Sequence, residues 1–100
     1  MVRHLILWKL KDSLTLDEKK IVLADMKEQL EGLVGKVPGL VSLKIVINEM
    51  ESSNADVMLD SVLESEEALK GYQGHPAHVA VANTYVRPFT EVRMCMDYAE

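Results

Sequence analysis

The sequence predicts one α+β domain in which four antiparallel strands carry two helices on a single face. Three observations lead there. Four stretches alternate apolar and polar side chains with the period of a strand, two repeat their apolar residues at helical steps behind recognisable caps, and the six come in the order βαββαβ. A chain of 100 residues with 48% hydrophobic content builds one modest core, so the expectation is a single domain over residues 1–100.

Residues Arg3 to Lys11 put His4, Ile6, Trp8 and Leu10 on one face and Leu5 and Leu7 on the other, the mark of a strand buried on both sides. Thr15-Leu16-Asp17-Glu18 fits a capping box: Thr15 caps the Glu18 amide, the Glu18 side chain reaches back, and the acidic first turn suits the helix dipole. Val22, Leu23, Met26, Leu30, Leu33 and Val34 then recur opposite Lys19, Lys20, Lys27, Glu28 and Glu31, which predicts an amphipathic helix of about five turns stopped by Gly35.

Val37-Pro38-Gly39 makes a turn, and from Leu40 to Asn48 the residues Val41, Leu43, Ile45 and Ile47 alternate with Ser42, Lys44 and Asn48 as a second strand. The polar run Glu49 to Asn54 breaks the pattern before Ala55, Val57, Leu59, Ser61 and Leu63 form the third strand, joined to the second as a hairpin. Ser65-Glu66-Glu67 opens a shorter helix through Leu69, and a histidine-containing turn continues it through Val79, Val81 and Ala82 toward Tyr85. After a restart at Arg87-Pro88-Phe89, Thr90, Val92, Met94, Met96 and Tyr98 alternate with Glu91, Arg93, Cys95 and Asp97 as a fourth strand.

This is the split βαβ, or ferredoxin-like, order, and its two helices cover one side of the sheet only. The first and fourth strands read as apolar on both faces, and positions such as Trp8, Ile45 and Met94 leave more apolar surface than a monomer of this size hides. The patterning therefore predicts a homodimer closed through sheet faces.

Composition excludes several function classes. A net charge of -5 argues against nucleic-acid binding, because phosphate-backbone binders present a basic face. Cys95 is the only cysteine, so there is no intrachain disulfide and no multi-cysteine zinc site, and a reducing, cytoplasmic setting is the default expectation. No long apolar run or leader-type cleavage site is seen, so neither membrane span nor signal peptide is expected. A glycine-rich phosphate loop and a nucleophile elbow are missing too, which leaves positioned acid–base work without an organic cofactor as the chemistry the residues support.

The candidate residues for that work are three histidines and one tyrosine. Tyr72, His75 and His78 recur at three-residue steps in Tyr72-Gln73-Gly74-His75-Pro76-Ala77-His78-Val79, so they are expected to share a helical face and line one wall of a cavity. Pro76 suits the first position of a helical turn, with Gly74 or His75 as its cap. Imidazole titrates near neutral pH, which makes His78 the candidate general base and Tyr72 its hydroxyl partner. His75, beside the cap, can bond free amides of its own turn, and His4 lies on an apolar strand face; both are carried as candidate substrate contacts. No side-chain metal site is expected, since nothing in the spacing of Asp56 or Asp60 supports them as ligands beside the histidines. The methionines read as core or dimer filling, and Cys95 as a buried, inert thiol.

With the strand order and the motif together, the chain resembles the stress-responsive A/B barrel (Dabb) family. The resemblance rests on Arg3-His4-Leu5-Ile6-Leu7-Trp8-Lys9-Leu10, the Val37-Pro38-Gly39 turn, Asp60, Tyr72 with His75-Pro76-Ala77-His78, and the closing Met96-Asp97-Tyr98. It implies a homodimer in which two sheets pack face to face, helices outside, with a small-molecule pocket between helix and sheet in each subunit. It also implies, from the plant polyketide cyclases of the family, aldol chemistry by the residues matching Tyr72 and His78, with the histidine matching His4 in the pocket. Those cyclases carry a tyrosine in the first helix, where this chain has Asp25-Met26-Lys27. For some relatives the resemblance implies a magnesium ion on backbone carbonyls of the turn matching Val34, Val37 and Leu40. Two other functions fit the same fold: a non-catalytic stress-response or ligand-binding module, and a haem or quinol monooxygenase-like barrel, for which His4, His75 and His78 are the imidazoles available.

Overall fold

The structure is a computed structural model that describes residues 1–100. Strand β1 (Val2–Leu10) is followed by helix α1 (Leu16–Glu31), strands β2 (Leu40–Ile47) and β3 (Val57–Leu63), helices α2 (Glu66–Gly74) and α3 (Pro76–Val81), and strand β4 (Thr90–Ala99). All strand pairs are antiparallel, and the sheet order is β2-β3-β1-β4, so the predicted ferredoxin-like α+β fold is what the chain adopts. No helix is long and apolar enough to cross a membrane.

Alternation does most of the work. In β1 the even-numbered residues Val2, His4, Ile6, Trp8 and Leu10 are buried beneath the helices, while Leu7 and Lys9 point away. Strand β3 follows suit with Val57, Leu59, Ser61 and Leu63. Helix α1 starts on the predicted capping box, with the Glu18 amide on Thr15 Oγ1 at 3.1 Å and the Thr15 amide on Glu18 Oε1 at 2.9 Å. Val22, Met26 and Leu30 are its buried stripe.

Four expectations need correction. Helix α1 stops at Glu31 rather than running to Gly35, and Leu33 and Val37 enter the core from the irregular turn that follows. In β2 the register shifts between Leu40 and Ser42, so that Leu40, Leu43 and Ile45 face the core while Val41 is turned out; a simple alternation starting at Val41 misses this bulge. Trp8 and Ile45 are buried by the protomer's own helices, at 4% and 2% exposure. Met94 is open as expected, and the rest of the open apolar face is Leu7, Val46, Val92, Met96 and Tyr98. Finally, β4 is not apolar on both sides: Arg93, Cys95 and Asp97 pair in register with Trp8, Ile6 and His4 and so lie on the helix side of the sheet, where β4 is the outermost strand and the helices leave it uncovered.

Gly39 is the one tight fit in the α1–β2 connection. Its φ is +81°, and a Cβ placed there would sit 2.6 Å from the Ala68 Cβ, so only glycine lets the turn close onto α2.

Candidate active site

The predicted helical turn carrying the histidines is built from a break. His75 adopts an extended backbone (φ −66°, ψ 133°), ends α2 through its amide on the Tyr72 carbonyl at 3.2 Å, and caps α3 by accepting the Ala77 amide on Nδ1 at 3.1 Å. Pro76 follows at the first helical position, where its missing N–H costs nothing. Because His75 is the joint rather than a helical residue, it does not share a face with His78. It lines a separate cleft with the Val37-Pro38-Gly39 turn.

His78 folds back across the break, its Nδ1 lying 3.1 Å from the Gln73 carbonyl. A carbonyl only accepts, so the neutral ring must donate from Nδ1, which leaves the lone pair on Nε2. Burial holds the His78 pKa below its usual range, the Gln73 carbonyl works against this, and the charges of Arg87, His4 and Arg93 add to the lowering. A neutral imidazole with a free basic nitrogen is the result.

Tyr72, on the last turn of α2, is 1% exposed, and its ring lies against that of His78 with centroids 4.3 Å apart. Its hydroxyl is the one buried side-chain polar atom without a hydrogen-bond partner. Burial pushes its pKa up, so the group is a phenol and a donor. Beyond Tyr72, at 6.1 Å and edge-on, comes His4, buried at 1% exposure, with Nδ1 on the Asp97 carboxylate and its own carbonyl accepting from Ser61 Oγ at 3.0 Å. The structure thus brings His4, Tyr72 and His78 into a row and leaves His75 out of it.

A cavity of about 90 Å³ opens beside His78 between helices and sheet. Its apolar wall is Ile6, Trp8, Leu30, Leu59, Ala82 and Val86, and its polar rim is His78, Arg87, Thr90 and Arg93. Of the row, only His78 reaches this wall; Tyr72 and His4 stand behind it. The far wall depends on a π-helical turn, Ala82–Val86, followed by a 3-10 turn, Arg87–Phe89. The wide turn leaves the Val86 carbonyl to accept from Thr90 Oγ1 at 3.1 Å, and it sets Ala82 and Val86 facing the sheet.

Arg87 and Arg93, which line the cavity, and Asp97, which holds His4, are the residues of the candidate site that sequence reasoning missed. Arg93 and Asp97 were legible only through the β1–β4 register, which sets Trp8 opposite Arg93 and His4 opposite Asp97. Cys95, expected to be buried, is exposed, with its sulfur 3.7 Å from His4 Nδ1. His4, Cys95 and Asp97 offer ligand atoms within 4.8 Å of one another. A cation there would need the thiol proton removed, yet the partial desolvation of the sulfur and the Asp97 charge both raise the Cys95 pKa. Asp56 and Asp60 are already engaged, with the Leu10 amide at 2.7 Å and Arg3 at 2.6 Å. In the Val34–Leu40 turn the Val37 carbonyl accepts the Leu40 amide at 3.3 Å, which leaves that oxygen one lone pair for any cation held by backbone carbonyls there.

A four-stranded ferredoxin-like sheet with helices on one face and an open apolar face on the other defines a class of small α+β proteins. Within that class the chain belongs to the stress responsive A/B barrel domain family, whose model matches residues 2–100. An uncharacterized protein of Streptomyces coelicolor is 37% identical over 81 residues, covering 80% of this chain and 81% of that one. Olivetolic acid cyclase of Cannabis sativa is 29% identical over 100 residues, covering 97% of this chain and 94% of the cyclase. Among solved structures, a dimeric ferredoxin-like protein of unknown function from Bacteroides fragilis superposes with a TM-score of 0.91 at 30% identity, over 97% of this chain and 93% of its own. Hydroxynitrile lyase from Passiflora edulis shares the fold, with a TM-score of 0.73 at 17% identity over 97% and 90% of the two chains. So does a Nitrosomonas europaea protein described as a putative antibiotic biosynthesis monooxygenase, with a TM-score of 0.76 at 11% identity over 100% and 98% of the two chains.

Proposed function

We propose that this protein is a homodimeric, cofactor-independent cyclase- or lyase-type enzyme that works on a small carbonyl compound by proton transfer, with His78 as base and Tyr72 as hydroxyl donor. The observation that carries it is the pairing of a histidine fixed by Gln73 with its basic Nε2 free, and a buried tyrosine hydroxyl with no partner in the chain. Leaving a hydroxyl unpaired in a core costs about 1–3 kcal/mol, so a position that keeps one has a donor in reserve.

His78 Nε2 takes a proton from a carbon beside a carbonyl, and Tyr72 donates to the carbonyl oxygen as negative charge gathers there. The resulting enolate carbon adds to a second carbonyl of the same molecule, and the imidazolium returns its proton to the new alkoxide. Run backward, the same groups cleave such a bond, which is lyase chemistry. Both proton carriers belong to the chain, and positioned acid–base help of this kind is worth roughly 10²–10⁴-fold. The likeness to olivetolic acid cyclase over nearly the whole chain supports the cyclising direction. His4, held by Asp97 behind Tyr72, acts as a positioning residue in this reading.

A second reading, a ligand-binding module without turnover, draws support from the place of Tyr72 behind His78 rather than in the cavity wall. Purified protein incubated with a linear β-polyketone probe separates the two. An enzyme loses turnover by two orders of magnitude in His78→Ala, whereas a wild-type protein that binds the probe, returns it unchanged and still binds after the substitution is a binding module.

A further inference from the structure

We propose that Arg87 and Arg93 form an anion clamp at the mouth of the His78 cavity, and that the ligand of this site is a small carboxylate carrying a short apolar chain. The inference rests on the reading above that this cavity receives the ligand. Arg87 opens the 3-10 turn after the π-helical turn, and Arg93 projects from the helix side of β4 opposite Trp8. The 3-10 turn and the strand that directly follows it thus bring two guanidinium groups to the rim that also holds His78.

Neither arginine is neutralised. The ion pairs of the chain are made by Arg3, His4 and Lys27, and although acidic residues outnumber basic ones by 16 to 11, no carboxylate pairs with Arg87 or Arg93. Arg87 is instead held by the side-chain oxygen of Asn83, a neutral partner that orients the guanidinium without consuming its charge. A planar fork with free donors matches a carboxylate in both shape and charge. Both charges also bear on His78, adding to the lowering of its pKa that burial begins.

The interior sets the other half of the ligand. Ile6, Leu30, Leu59 and Val86 offer no polar contact, so what enters past the arginines is hydrocarbon. At about 90 Å³ the space is smaller than the cavity of about 150 Å³ that takes benzene, so it takes the few carbons of the apolar chain while the reacting carbonyls stay at the rim beside His78. A keto acid of this build would place its carboxylate on the clamp and its chain inside, with the carbons between them passing His78.

Titration of the full chain with pentanoate and with its neutral analogue pentanamide, read from the His78 ring signals by NMR, tests this. The expected result is a preference for pentanoate of about tenfold, a modest figure because charges at an open rim are screened, and one that shrinks as salt rises. In the double variant Arg87→Gln, Arg93→Gln the preference vanishes while pentanamide binds as before. Equal affinity for the two probes in the wild type, or a preference that survives the double substitution, overturns the clamp and leaves the pocket standing. If neither probe shifts His78, the pocket reading and the clamp fall together.

Discussion

Tyr72 carries a hydroxyl that bonds nothing while its ring is fully packed, so stability and function pull apart at this residue. Tyr72→Phe removes only the orphan oxygen, and the variant is expected to be as stable as the parent or up to about 1 kcal/mol more so, while turnover falls at least tenfold. Denaturant unfolding beside a rate measurement checks both; a loss of stability would mean the hydroxyl has a structural partner. His78 gives a pH signature. Its pKa lies below the ordinary 6.5 because of burial, opposed by the Gln73 carbonyl and reinforced by Arg87, His4 and Arg93, the charged groups around it. The base form therefore persists to acid, and activity should decline only on a limb below pH 6.5, as the ring is protonated. The sign for stability is the same. The unfolded chain takes up this proton first as pH falls through 6.5, so stability drops between that value and the folded pKa and levels off below it. A limb above pH 7 would contradict this environment.

At the scale of elements, the most consequential join is between α1 and the edge strand β2. Glu31 accepts the outward-pointing Ile45 amide at 2.9 Å and the Lys27 ammonium at 2.8 Å, while Lys27 also reaches the Ile45 carbonyl at 3.2 Å. Two side chains of one helix thus satisfy the backbone pair that an unpaired edge would offer to another chain. Partial burial opposes the Glu31 charge, but the Ile45 amide and Lys27 outweigh it and lower its pKa below 4.5. The associated stability is present above pH 4.5 and is lost as pH drops through the depressed folded value, so an acid titration of unfolding should steepen there. Glu31→Ala should cost about 1–2 kcal/mol at neutral pH, remove that steepening and promote edge-to-edge association, as seen by unfolding and light scattering. None of this was legible beforehand, because helix periodicity placed Glu31 on the solvent side and could not see that the helix ends against β2. The β2 bulge escaped for the same reason: period-two reading has no way to detect one extra residue at Val41. By contrast, the Thr15 capping box and the Ser65 cap were readable in full, since their partners lie only three residues away. The site divides along the same line. Local spacing pointed to Tyr72 and His78 but assumed one helical face where the chain breaks at His75, and Asp97, Arg93 and Arg87 join the candidate site only through sheet register and the π-helical turn.

For the whole molecule, the open side of the sheet decides the assembly. Leu7 pairs with Met58 on one side and Met94 on the other, and Met58 with Val46, so an apolar row crosses all four strands on the face away from the helices. Met94 and Met96 are each 66% exposed in the protomer, with Val92 and Tyr98 beside them on β4. A continuous patch of this kind is unfavourable in water and calls for a cover. A second copy is expected to supply one by the same face, as a two-fold interface does, in line with the dimeric Bacteroides fragilis relative. Methionine suits such a seam, since its flexible side chain fills the gaps between two twisted sheets. The expected outcome is a dimer of the wild type at micromolar concentration in sedimentation equilibrium. The double variant Leu7→Asp, Met94→Asp should run as a folded monomer, because both residues are exposed within the protomer, while two carboxylates facing their copies across the axis cannot be desolvated. Its circular dichroism should be unchanged and the His78 cavity intact, since neither Leu7 nor Met94 lines that cavity. A wild type that sediments as a monomer, or a doubly substituted chain that still dimerises, would place the interface elsewhere on the molecule.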